Sequence, residues 1–275
     1  MKGLSDYKSI IEGELKSRLN SIKDKTEEKL FSAMEYALMG GGKRVRPTLM
    51  LLSAETIGMP HGRVLPLAAA LECIHTYSLI HDDLPCMDND DYRRGAPTVH
   101  KAYSEATAVL AGDGLLNFAF EIMLSACLND PALLSAAKQI AEAAGATGMA
   151  GGQAMDISKT QYTESEMLNM YSLKTGALIK AAICAPYIAA ASPNLGKMTK
   201  LAGRIGLVFQ LVDDILDYKA GQDKDKLTFV TLFGEEKAGA MVCEANREIK
   251  ALSEEMGIVD TRFYEYAEAL SHRLT

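Results

Sequence analysis

Tryptophan is absent from this chain of 275 residues, and aromatic residues make up only 7% of it. Apolar residues still reach 48%, so a real core is available and disorder is excluded. That core must be aliphatic, because Ala, Leu, Ile and Met carry it, and these residues favour helices. Cysteine is sparse. Cys73, Cys86, Cys127, Cys184 and Cys243 are odd in number, scattered, and never spaced Cys-x-x-Cys. That spacing excludes a disulfide framework and a zinc site, and it fits reduced thiols in a cytoplasmic protein. No apolar segment follows Met1-Lys2-Gly3, so no signal peptide is expected. The longest apolar run, Ala177 to Ala191, is broken by Lys180 and Pro186 and is too short to span a membrane. Positive charge is also short. A net charge of −7 argues against a general nucleic-acid binder. An anionic ligand would need local basic clusters or metal.

Helical patterning fills the space these absences leave. Leu4, Tyr7, Ile10, Ile11, Leu15, Leu19 and Ile22 recur at helical spacing over 4–23. A second helix is expected over 27–39, ended by Gly40-Gly41-Gly42. Pro47 fits the first turn of the next, which runs to about Ile57. A long helix over 65–83 stops before Pro85. Others are expected over 104–128, 132–156, 164–174, 176–191, 197–219, 235–255 and 261–273. Asp130-Pro131 offers a cap with an N1 proline, and Thr163-Glu164-Ser165-Glu166 is a capping box. No segment combines strand alternation with a hairpin turn. No repeat or linker divides the chain, so one all-α domain over 1–275 is expected.

Charge is concentrated in one stretch. His75 to Arg94 places Asp82, Asp83, Asp88, Asp90 and Asp91 within ten residues, followed at once by Arg93 and Arg94. Crowded carboxylates repel, and those near a core also lose solvation. A divalent cation removes both costs. His75, Ser78 and Asp82 are three and four residues apart and share a helix face. The pattern returns at Gly206 to Asp217, where Gln210, Asp213, Asp214 and Asp217 interrupt an apolar run. Asp213 and Asp217 stack along one face, which Gly206 and Gln210 continue. Oxygen-only ligands suit Mg2+ or Mn2+, and Mg2+ usually completes its shell with water and substrate phosphates. Lys43, Arg46, Arg93, Arg94 and Lys174 would then grip the phosphate oxygens.

Asp82-Asp83-x4-Asp88 and Asp213-Asp214-x-x-Asp217 resemble the two aspartate motifs of the trans-prenyltransferases, or isoprenyl diphosphate synthases. So do Gly41-Gly42-Lys43-Arg44-x-Arg46-Pro47, Gly151-Gly152-Gln153-x-x-Asp156 and Lys174-Thr175-Gly176, in order along nearly the whole chain. Around Tyr77-Ser-Leu-Ile-His-Asp-Asp the sequence is most similar to the bacterial farnesyl diphosphate synthases.

The resemblance implies an α-helical barrel around a deep cavity, usually as a homodimer. It implies that Asp82 and Asp88 hold two Mg2+ ions and Asp213 a third, with Asp83, Asp214 and Asp217 assisting from behind. Arg93 and Lys174 would bind an allylic diphosphate. Lys43, Arg46, His75 and Arg94 would bind isopentenyl diphosphate, and Lys226 falls where the family has a further diphosphate lysine. Thr175 and Gln210 would face the allylic cation, with Gln153 supporting that wall. An aromatic at Tyr77, beside Ser78, implies a fifteen-carbon product, although Tyr77 lies about 140° from Asp82 around an ideal helix. Two departures stand out. The segment from Tyr218 to Lys226 is shorter than the family's loop, leaving Lys224 as a candidate substitute, and the end of the chain, 271–275, is less basic than usual.

Taken singly, these features have ordinary readings. An Asp-rich loop is usually solvated surface, Lys43-Arg44 a turn, and His75 or Tyr77 core packing. Arg93-Arg94 would be a solvated pair, Lys174-Thr175 a helix boundary and Gln153 a core amide. Only their co-occurrence outweighs that. Glu72-x-x-His75 matches half of a di-iron signature, but its second half is missing. A phosphohydrolase using His81-Asp82 would need histidines placed elsewhere. A terpene cyclase would replace the second aspartate motif. A geranylgeranyl diphosphate synthase, or a non-catalytic subunit of a longer-chain synthase, remains the serious competitor.

Overall fold

Helix forms wherever the sequence carries a start signal, and it stops at glycine, proline or a polar turn. The structure is a computed structural model that describes residues 4–221 and 226–271; Lys224 and the tail 272–275 lie outside them. Among the described residues the chain is all-α, apart from one hairpin of two-residue strands. It divides into two compact units. One comprises Met1–Leu51 and Pro60–Ala137, the other Leu52–Met59 and Lys138–Thr275.

The first unit holds α1 (Leu4–Asn20), α2 (Glu28–Met39), most of α3 (Val45–Glu55) and α4 (His61–Asp82). The strands β1 (Tyr92–Arg93) and β2 (Ala96–Pro97) follow, then α5 (Val99–Ala102) and α6 (Glu105–Asn129). α4 is its spine. Val64, Leu67, Leu71, Ile74 and Ile80 are buried on it, with Ala68, Ala69 and Ala70. Each large aliphatic removed from water contributes about 1.5–3 kcal/mol. The helix starts at His61, four residues before the expected boundary, and absorbs Pro66 near its first turns. It ends where Leu84-Pro85 follows, since a residue before proline avoids helical backbone.

In the second unit, α7 (Leu134–Ala144), which begins in the first, leads to α8 (Met149–Ser158) and α9 (Glu164–Tyr171). α9 starts on the expected box: Thr163 and Glu166 cap each other's backbone. A π-helical segment, Ser172–Gly176, joins it without a break to α10 (Ala177–Ala189). Then come α11 (Leu195–Lys219), α12 (Phe229–Phe233), α13 (Glu235–Glu255) and α14 (Arg262–Ser271). α11 buries Leu201, Ile205, Val208, Val212 and Ile215, the spacing of one helical face.

Two expectations fail locally. The helix expected over 132–156 is broken at 145–148, because Gly148 leaves the helical region, at φ −131° and ψ −128°. The hairpin was not foreseen, because two residues per strand carry no alternation. Its turn places Arg94 and Gly95 at φ 55° and 78°. The primed turn this implies suits two-residue hairpins. α4 and α6 are long and apolar enough to cross a membrane by length and composition, yet 61% of the α4 segment is buried within the protein.

Candidate functional site

The five crowded aspartates sort themselves by direction. Asp82 ends α4, and the Asp88 backbone N–H donates to the Asp82 carbonyl at 2.9 Å. That bond folds the intervening loop back, so the two residues share a rim, Asp82 half-buried and Asp88 exposed. Asp83 turns the other way and is buried. Arg93 donates to both its oxygens, with Nε at 2.8 and 2.9 Å. Burial raises the Asp83 pKa above the usual carboxylate range despite that partner. Asp90 lies 3.8 Å from Arg93, and Asp91 pairs with Lys101 at 2.8 Å. Three of the five carboxylates therefore neutralise cations of the hairpin and α5.

The basic residues are ordered by one buried pair. Arg44 is fully buried, donates to Glu72 at 2.8 Å and to the Leu38 carbonyl at 2.7 Å, and lies 3.6 Å from Glu12. It pins the glycine loop, leaving Lys43 exposed and Arg46 half-buried on either side. Gly42 sits at φ 124°, a backbone conformation that favours glycine, and the Arg94 guanidinium lies 2.8 Å from where a Cβ would be as it donates to the Gly41 carbonyl. Burial, with Arg44 and Arg93 nearby, lowers the Arg94 pKa despite Glu72. The same surroundings, burial first and then Arg46, Arg94, Arg93 and Arg44, hold His75 neutral. Positive charge concentrated in this way suits an anionic ligand.

Other α4 residues have protein partners. The Tyr77 ring meets the His81 ring edge-on, with centroids 5.7 Å apart. His81 Nε2 lies 3.2 Å from the Val109 carbonyl, which ties that imidazole to α6. The Ser78 hydroxyl donates to the His75 carbonyl. Glu72 being committed to Arg44 and His81 to α6 removes the central residues of the di-iron and phosphohydrolase readings.

In the second unit, the π segment presents Lys174 and Thr175. Its widened turn is a common device at functional positions. Gly152 explains part of its own motif: a Cβ there would fall 2.3 Å from the Lys174 backbone nitrogen. α8 therefore packs directly on the segment, and Lys174 forms an ion pair with Asp156. Gln153 is half-buried, and its amide nitrogen has no hydrogen-bond partner among the described residues. Thr175 Oγ donates to Gln210 Oε1 at 2.7 Å, and Gln210 Nε2 donates to Asp214 Oδ1 at 3.0 Å. Asp214 is buried, and burial raises its pKa. Its other oxygen accepts from the Tyr171 hydroxyl at 2.5 Å and the Phe229 N–H at 3.1 Å. Asp213 and Asp217 are half-buried on the adjoining face of α11.

The structure thus gathers Asp82, Asp88, His75, Lys43, Arg46, Arg93 and Arg94 in one unit. In the other it links Thr175 and Gln210 to the second aspartate motif and pairs Lys174 with Asp156. Lys226 precedes α12, whose Thr228 side chain accepts from the Thr231 N–H. Sequence reasoning missed Arg44 as an anchor and Tyr171 altogether. The available signal for Tyr171 was its spacing, three and four residues before Lys174 and Thr175.

Among the described residues no three carboxylate, imidazole or thiolate side chains converge on one point. A closed, all-protein metal cage is therefore absent from these residues. Partly exposed carboxylates such as Asp82 and Asp88 suit Mg2+ instead, which takes one or two carboxylates and shares the rest of its shell with water and phosphate.

Comparison with known proteins agrees with this geometry. Residues 27–263 match the family model described as Polyprenyl synthetase. A farnesyl diphosphate synthase from Micrococcus luteus is 43% identical over 224 residues, covering 76% of this chain and 77% of that one. A large subunit of a heterodimeric geranylgeranyl pyrophosphate synthase from Arabidopsis thaliana is 42% identical, covering 81% of this chain but 66% of its own length. The crystal structure of a geranyltransferase from Legionella pneumophila superposes with a TM-score of 0.90 at 36% identity, covering 98% and 96% of the two chains. The fold is therefore that of the all-α isoprenoid synthases, and the chain belongs to the polyprenyl synthetase family.

Proposed function

We propose that this protein is a Mg2+-dependent prenyltransferase that condenses isopentenyl diphosphate with dimethylallyl and then geranyl diphosphate, yielding farnesyl diphosphate. The observation that carries the reading is the division of labour in the first motif. The Asp88 N–H folds its loop back onto the Asp82 carbonyl, while Asp83 is buried and spent on Arg93. The second motif is divided likewise, with Asp214 turned into the protein and Asp213 and Asp217 on the adjoining face. Both units serve the reaction in this proposal, as one domain over 1–275.

Asp82, Asp88 and Asp213 would hold Mg2+, which when bound neutralises the diphosphate leaving group. Arg93 and Lys174 grip the allylic diphosphate. The allylic C–O bond breaks, and the electron pair leaves with diphosphate. Thr175 and Gln210 face the resulting cation with oxygen dipoles. Lys43, Arg46, His75 and Arg94 hold isopentenyl diphosphate, Lys226 adds charge, and Gln153 supplies an unspent amide donor. The alkene attacks the cation, a new C–C bond forms, and released diphosphate takes the proton. Preorganised charge of this kind contributes roughly 2.7–4 kcal/mol per donor.

Tyr77 sets the product length in this reading, and its half-buried ring braced on His81 supports a rigid stop. Chromatographic sizing of products tests it. The wild type yields mainly fifteen-carbon product, and Tyr77→Ala shifts it to twenty carbons or more. A wild type that already makes twenty carbons assigns the chain to geranylgeranyl diphosphate instead.

A homodimer is the proposed assembly, supported by α6. Val109, Leu110, Leu124 and Leu128 lie exposed along it, Leu128 by 85%. Leu124 and Leu128 sit one turn apart, and exposed aliphatics clustered in this way favour protein contacts. Leu124→Glu with Leu128→Glu should convert a dimer to a monomer in sedimentation velocity. Unchanged sedimentation would place the interface elsewhere. The buried thiols Cys73 and Cys184 fit a reducing compartment, the cytoplasm in this proposal.

A further inference from the structure

We propose that Asp214 and Tyr171 are positioning residues that fix the direction of the Gln210 amide. The proposal rests on the assignment of Gln210 and Thr175 to the allylic cation. All three donors around the Asp214 carboxyl, the Tyr171 hydroxyl, the Phe229 N–H and the Gln210 NH2, point at its oxygens, which accept. Asp214 Oδ1 therefore takes the NH2 end of Gln210, at 3.0 Å. The oxygen end of the amide must then point the other way, where it accepts from Thr175 Oγ at 2.7 Å. With its hydrogen so directed, the Thr175 hydroxyl keeps its lone pairs for a neighbouring positive charge.

Asp214 cannot swing away from this task. Its Oδ2 is held by the Tyr171 hydroxyl at 2.5 Å and the Phe229 N–H at 3.1 Å. Tyr171 also accepts from that same N–H at 2.8 Å. Donation converges on Asp214, from Tyr171 and Phe229 on one side and from Thr175 through Gln210 on the other. Asp214 is thereby assigned to the protein rather than to metal.

Asp214→Asn tests the lock with almost no change of shape. The two donors at Oδ2 keep the Asn carbonyl on their side, so its NH2 faces Gln210. Two NH2 groups cannot pair, and the Gln210 amide turns over. The Thr175 hydrogen is then released toward the cation, with the wrong polarity. The expected result is a kcat lower by about 10- to 100-fold, the range of losing an oriented dipole. KM for both diphosphates and the Mg2+ activation constant should stay within about twofold. Tyr171→Phe removes one pin and should lower kcat about threefold or more, again at constant Mg2+ dependence. An unchanged kcat in either variant overturns the proposal. So does a Mg2+ activation constant raised about tenfold, since metal affinity losses of that size mark removal of a supporting ligand shell. Side-chain amide NMR gives a readout that needs no turnover. The Gln210 NH2 pair, assigned by its loss in Gln210→Leu, should shift in Asp214→Asn. A pair that stays in place overturns the lock, and wild-type inactivity alone would count only against the proposed reaction.

Discussion

Asp82→Ala and Asp213→Ala should each lower kcat by about a thousandfold or more while leaving the fold intact, because two or more lost charge contacts of roughly 2.7–4 kcal/mol exceed that ratio. The reasoning is geometric. Asp82 sits at the last turn of α4, and the bond that shapes its loop runs through its backbone carbonyl, which alanine retains. Asp213 is half-buried on α11, whose packing is carried by Val208, Leu211, Val212 and Ile215. Circular dichroism and melting should therefore track the wild type. Asp83→Ala should behave differently, since it strips Arg93 of a buried partner and loosens the hairpin. A near-normal rate in Asp82→Ala or Asp213→Ala would refute their assignment to metal.

Arg44→Met should destabilise the protein by about 3–5 kcal/mol, the cost of leaving one member of a buried ion pair alone. The guanidinium and Glu72 are 0% and 2% exposed, so little solvent is available to take over. In a chain of this size that loss lowers Tm by on the order of 10 °C. Arg44→Met combined with Glu72→Met should recover most of it, because the desolvation cost disappears with the charge. Thermal melts of the two variants check the pair. If the single variant melts with the wild type, Arg44 does not anchor the loop. The single variant should also raise KM for isopentenyl diphosphate, since Lys43 and Arg46 flank the anchor.

Much of this was legible in the sequence, for identifiable reasons. The two aspartate motifs stood out because apolar helix surrounds them, and charge in such a setting needs a partner. α9 began on its capping box because Thr163 and Glu166 act within one turn. What was not legible depends on choices that adjacent residues leave open. Asp82 and Asp83 differ by about 100° around a helix, and spacing shows that they diverge without showing which turns inward. Only the position of Arg93, folded back by the hairpin, decides it. The π segment has no periodic signature. The five-residue α12 is too short to show periodicity. Tyr171 gains its role from a contact with a residue 43 positions away.

The central claim is that the chain joins isoprenoid diphosphates with the help of metal-held phosphate. Purified protein, Mg2+ and labelled isopentenyl diphosphate, with dimethylallyl or geranyl diphosphate as primer, test it in one measurement. The expected result is a labelled fifteen-carbon diphosphate that requires both primer and Mg2+ and disappears on chelation. Failure to elongate any allylic primer, with the protein folded and metal present, would contradict the account.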